Sequence, residues 1–68
     1  MEHIKKNSHV WILDDLFDIP TRAVITDIKE DGISLRSPDG MTQYFRKQKT
    51  DIYSGYEQAR MAAATIGQ

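Results

Sequence analysis

Residues 21–36 read TRAVITDIKEDGISLR, and the fold is decided there. Val24, Ile25, Thr26 and Ile28 crowd β-branched side chains into one short run, which is the composition of a strand. Asp31-Gly32 follows at once, the strongest short hairpin signal when strands flank it. With Asp31 and Gly32 as the two turn residues, Glu30 faces Ile33, Ile28 faces Leu35, and Asp27 faces Arg36, setting opposite charges side by side. Val24 and Ile25 are adjacent and both apolar, so they claim opposite faces of a flat strand. A bulge or sharp bend in that half turns both inward and curls the sheet.

Toward the C-terminus, Ser37-Pro38-Asp39-Gly40 marks a second hairpin. Proline presets the first turn residue, and Gly40 suits the left-handed position that closes a three-residue loop. Ser37 then faces Met41, Leu35 faces Gln43, Ser34 faces Tyr44 and Ile33 faces Phe45. Period-two alternation gathers Ile28, Ile33, Leu35, Met41 and Phe45 on one face as the core. Asp27, Lys29, Ser34, Arg36, Thr42, Tyr44 and Arg46 fall on the other face. Phe45→Ala is then the damaging substitution and Tyr44→Ala the harmless one.

Toward the N-terminus, His9–Leu13 forms a short strand around Val10, Trp11 and Ile12. Asp14–Pro20 is a connecting loop whose Leu16, Phe17 and Ile19 are expected to lie over one end of the core. Residues 1–8 are polar and lack apolar periodicity, which predicts a flexible or loosely docked arm. Past the sheet, Ser54-Gly55-Tyr56-Glu57 has the pattern of a capping box, opening a helix at about residues 54–65 that stops near Gly67. Tyr56, Ala59, Ala63 and Ile66 form its inward stripe. A helix of about ten residues is not stable alone and must pack on the sheet or a partner. The reading is mainly β with one C-terminal helix, a single domain over residues 9–66.

This strand spacing, the two turns and the closing run from Asp51 to Ala59 resemble a small SH3-like or Tudor-like barrel over roughly residues 9–64. The resemblance implies a small barrel; a strongly bent antiparallel sheet closed by the helix satisfies the same pattern. This superfold serves protein, peptide and nucleic-acid binders alike, so function has to be argued from individual residues.

Composition narrows the function classes. A chain of 68 residues with a formal charge of −1, 40% hydrophobic and 28% charged, holds one small soluble domain. The absence of cysteine excludes disulfides, thiolate catalysis and Cys-based zinc sites. The chain lacks a long apolar run, and residues 1–6 lack the apolar segment of a signal peptide, so no membrane contact and a cytoplasmic location are expected. Asp14, Asp15 and Asp18 spell the Asp-Asp-x-x-Asp pattern that holds magnesium in isoprenoid synthases, but a β-rich chain this short has no helical cavity to converge them. His3 and His9 are the only histidines and do not make a zinc site. Ser37 and Ser54 have turn and cap duties, and the four glycines are scattered. No catalytic residue, metal or cofactor is expected, and the chain reads as a non-catalytic binding or regulatory module.

Two binding surfaces remain. Trp11, Phe17, Tyr53 and Tyr56 supply aromatic area beside the acidic Asp14, Asp15 and Asp18, a combination that suits a basic protein partner. The small core also leaves room for a homodimer that supplies further burial. The alternative is single-stranded nucleic acid on the sheet face of Arg36, Tyr44 and Arg46, with Lys47 and Lys49 just beyond.

Overall fold

A computed structural model describes residues 4–66. Four antiparallel strands follow one another in space as in sequence: β1 (His9–Leu13), β2 (Pro20–Lys29), β3 (Gly32–Arg36) and β4 (Gln43–Arg46). A 3-10 turn at Lys49–Asp51 leads to α1 (Tyr56–Ile66). Between them Tyr53 bridges the free edge of β1, exchanging backbone hydrogen bonds with Trp11 at 2.8 and 2.9 Å. The outer strands β1 and β4 share no ladder, so the sheet is not closed into a barrel.

The expected irregularity in β2 is a bulge at Thr26, between Ile25 and Asp27. The bulge does not turn both Val24 and Ile25 inward: Ala23 and Ile25 face the inner core, while Val24, buried but outside that cluster, keeps the opposite face, the one α1 covers. Val10, Ile12, Ala23, Ile25, Ile33 and Leu35 form the core on the inner face, joined by Ile4 and Ile52. Ile4 thus belongs to the core, although its segment was expected to be a loose arm. The amide of Asn7 also donates to the carbonyl of Ile25, and that of Ile25 to Ser8. Residues 1–3 of that arm, with His3, and the helix stop at Gly67 lie outside the described residues. On the outer face α1 packs across β1 and β2 with Ala59 buried. The capping box does not form: the helix begins at Tyr56, and Glu57 turns forward to a two-pronged pairing with Arg60. Tyr56 and Ile66, expected to face inward, are exposed.

Both hairpins depart from the expected register. In the first, Glu30 and Asp31 are the central turn residues, and Gly32 opens β3 opposite Lys29. Ile28 now faces Ile33, Asp27 faces Ser34, and Arg36 faces Val24 instead of Asp27. Gly32 has φ +156°, and a Cβ there would run into the Phe45 ring and lie 2.8 Å from the Arg46 carbonyl oxygen. Glycine is therefore needed for packing between β3 and β4 more than for the turn. Gly32→Ala is expected to destabilise the fold by about 1–2 kcal/mol in urea melts, because the half-exposed ring can tilt away but the backbone carbonyl cannot.

The second departure changes more. Ser37 pairs with Thr42, which makes the loop four residues long, and Leu35 faces Tyr44 while Ser34 faces Phe45. The Ser37 hydroxyl donates to Asp39 at 2.5 Å and accepts from the Thr42 amide at 3.0 Å; Asp39 also accepts from the Met41 amide. The Ser37 hydroxyl and then the Met41 amide hold the Asp39 carboxyl below the usual carboxylate range. These side-chain bonds capture amides that a three-residue loop would place elsewhere. A slip of one residue exchanges the faces of β4. Tyr44 packs against the core, whereas Phe45 (42% exposed), Ile28 and Met41 do not belong to it.

Candidate protein interface

Asp14 builds the loop between β1 and β2. Its Oδ1 accepts from the amides of Phe17 at 2.9 Å and Ile19 at 3.0 Å, its own amide donates to the Ile19 carbonyl, and its carbonyl accepts from the Asp18 amide. Asp18 completes the turn in the left-handed region at φ 55°, which aspartate tolerates better than most residues. One carboxylate thus closes a tight loop in which the backbone is satisfied locally and the side chains at 16, 17 and 19 are turned outward. Leu16, Phe17 and Ile19 are 83%, 70% and 54% exposed, contrary to the expectation that they cover the core. Three large apolar residues on a hydrogen-bonded loop form a patch of the kind that marks interaction sites.

Beside the patch is a cleft of about 280 Å³ lined by Asp14, Asp15, Asp18, Asp51 and Tyr53, with Leu13 and Ile66 as apolar walls. Arg46 enters it from β4. Its Nη2 donates to the Leu13 carbonyl at 2.6 Å and lies 3.2 Å from Asp15, and its guanidinium sits 5.9 Å from the Tyr44 ring centre. The Arg46 side chain is only 11% exposed, against 73% for Asp15. Four carboxylates therefore line the cleft against one guanidinium, which is already committed to the fold.

The Ile19 amide holds the Asp14 carboxyl below the usual carboxylate range against desolvation, the next largest influence, and the Phe17 and Asp18 amides and the Arg46 charge add to the lowering. A carboxyl lowered in the folded state contributes order that is fully present above its ordinary value and is lost as pH falls through the lowered one. Amide exchange at Phe17 and Ile19 is expected to be slow at neutral pH and to accelerate, relative to β2 and β3, only when the solution is more acidic than the ordinary carboxylate range.

Of the residues singled out for protein binding, Asp14, Asp15, Asp18 and Tyr53 meet in this cleft, and Phe17 stands on the same loop. Trp11 and Tyr56 pair with each other edge to face, with ring centres 5.3 Å apart, at the start of α1. The nucleic-acid platform does not assemble as expected: the β4 register turns Tyr44 and Arg46 to the inner face and leaves Arg36 on the outer one. Lys47 and Lys49 are exposed. Sequence reasoning missed Leu16 and Ile19 as site residues, although the aspartates at 14, 15 and 18 are turn-forming residues. It also missed Arg46, Asp51 and Ile66 as neighbours of the acidic loop; no local pattern links residues more than 30 positions apart. Among the described residues no group of three or more His, Asp or Glu side chains is placed to hold a metal ion, and no helix is long and apolar enough to cross a membrane. Compared with known proteins, the chain matches no family model, no curated protein and no solved structure.

Proposed function

We propose that the chain is a non-catalytic module that recognises a protein partner through the Asp14 loop and the acidic cleft beside it. The observation that carries this reading is the outward presentation of Leu16, Phe17 and Ile19 on a loop whose backbone is closed by Asp14. Ordering the loop before binding reduces the entropy lost on association, and exposed apolar side chains supply the contact area. The carboxylates of Asp14, Asp15, Asp18 and Asp51 select for a basic partner and speed the encounter. Tyr53, and further off the pair Trp11 and Tyr56, extend the aromatic surface. The SH3-like resemblance fits this role. The sequential strand order and the two hairpins agree with that resemblance, and the reach of Arg46 from β4 to the end of β1 agrees with a bent sheet. A cytoplasmic setting belongs to the same reading.

A random-peptide library panned against the immobilised chain tests it, with a Phe17→Ser chain as the control. Enriched peptides are expected to place Lys or Arg beside large apolar residues and to bind the control chain at least about tenfold more weakly, the loss of one anchoring aromatic. Phe17 is too exposed for its loss to unfold the domain. Enrichment of acidic peptides, or equal binding to both chains, overturns the reading. Sedimentation across a concentration series identifies a second copy as the partner if the mass rises and Phe17→Ser abolishes the rise.

A further inference from the structure

The register that dismantles the expected sheet platform assembles a different one. Ser34, Arg36, Gln43 and Phe45 share the outer face of β3 and β4, while α1 packs on β1 and β2. With the bulged Thr26 and with Gly40 they line a cleft of about 380 Å³, within the size range of small-molecule sites. One wall is aromatic. The Phe45 ring rests against Gly32, where even a methyl group has no room, so the ring is backed by main chain. Another wall is cationic. Nη1 of Arg36 donates to the carbonyls of Ser37 at 3.0 Å and Pro38 at 3.1 Å, which fixes the guanidinium, and among the described residues it has no carboxylate partner.

We propose that this cleft binds a nucleotide unit, with its base on the Phe45 ring and its phosphate on Arg36, while Ser34, Thr26 and Gln43 meet base or sugar edges. A flat apolar wall, a held guanidinium and neutral hydrogen-bonding groups in one cleft match a ligand that is planar at one end and anionic at the other. A simple carboxylate would use Arg36 but leave the aromatic wall and most of the volume unfilled. Lys47 and Lys49, which do not line the cleft, are exposed in the segment that follows the Phe45 end of β4. The site is separate from the Asp14 loop, so either reading can fail alone.

The test is an amide NMR titration of the labelled chain with adenosine monophosphate and, separately, with a mixed-sequence single-stranded oligonucleotide, each at two salt concentrations. Shifts are expected at Ser34, Arg36, Gln43 and Phe45, weakening as salt rises because phosphate binding releases counterions. Phe45→Leu keeps an apolar side chain over Gly32 and removes the stacking surface; it is expected to weaken binding at least about fivefold. Arg36→Gln is expected to flatten the salt dependence. Equal affinity for both probes assigns the site to a free nucleotide, and tighter binding of the oligonucleotide assigns it to a strand. Silence at these four amides with both probes, shifts confined to the Asp14 loop, or unchanged affinity in a folded Phe45→Leu chain overturns the proposal.

Discussion

Leu35→Ala is expected to leave most of the chain unfolded at 25 °C. Leu35 is 1% exposed at the centre of the inner face, between Ile25 on β2 and Tyr44 on β4. A buried leucine replaced by alanine loses about 2–5 kcal/mol, part of it from the cavity left behind. A domain of this size seldom has more than about 3–5 kcal/mol in total. The two quantities are comparable, so urea melts should show a midpoint near zero denaturant. The same measurement ranks the neighbours on β4: Tyr44→Ala, which strips a ring packed on the core, is expected to destabilise more than Phe45→Ala, whose ring is 42% exposed. The three-residue loop suggested by Pro38-Asp39-Gly40 predicts the opposite order. A larger loss from Phe45→Ala would therefore sink the four-residue loop and with it the outer-face cleft.

Arg46→Met is expected to cost about 1.5–3 kcal/mol, the range for a hydrogen bond made by a charged group. Methionine keeps the apolar stem, so what is lost is the guanidinium that joins β4 to the Leu13 carbonyl at the end of β1. The pairing with Asp15 adds little, because that carboxylate is mostly solvated and an exposed ion pair is screened. Asp15→Asn is accordingly expected to have a small effect. Arg46→Lys is not expected to rescue, since an ammonium lacks the planar fork that reaches Leu13, Asp15 and the Phe45 carbonyl together. Hydrogen exchange should show the loss first at residues 14–19 and later in the β2–β3 pair. Unchanged stability in Arg46→Met would mean that the sheet holds its curl without this link.

The strands were legible because their signals are local. His9–Leu13 is recovered as read, and the β-branched run at residues 21–29 lies within β2. The conflict between Val24 and Ile25 was resolved by burial on both faces, Ile25 in the inner core and Val24 on the side that α1 covers, while the bulge falls one residue farther along, at Thr26. The faces of β4 were not legible. They turn on whether a loop holds three residues or four, and the decision lies with Ser37 and Asp39 capturing the Met41 and Thr42 amides. The acidic loop was read correctly as acidic and wrongly as a lid on the core. Hydrophobicity alone places Leu16, Phe17 and Ile19 inside, whereas Asp14 closes the backbone so that they face solvent.

By itself the amino-acid sequence determined the element types, their order, the two hairpins and the absence of cysteine chemistry, because each depends on the residue's own backbone preference or on neighbours a few positions away. Tertiary structure decided which face each β4 side chain occupies, brought Arg46 and Asp51 beside the Asp14 loop, and placed Gly32 under Phe45. Those outcomes depend on pairing register and on contacts between distant segments, where a one-residue slip inverts a face while leaving every local preference satisfied.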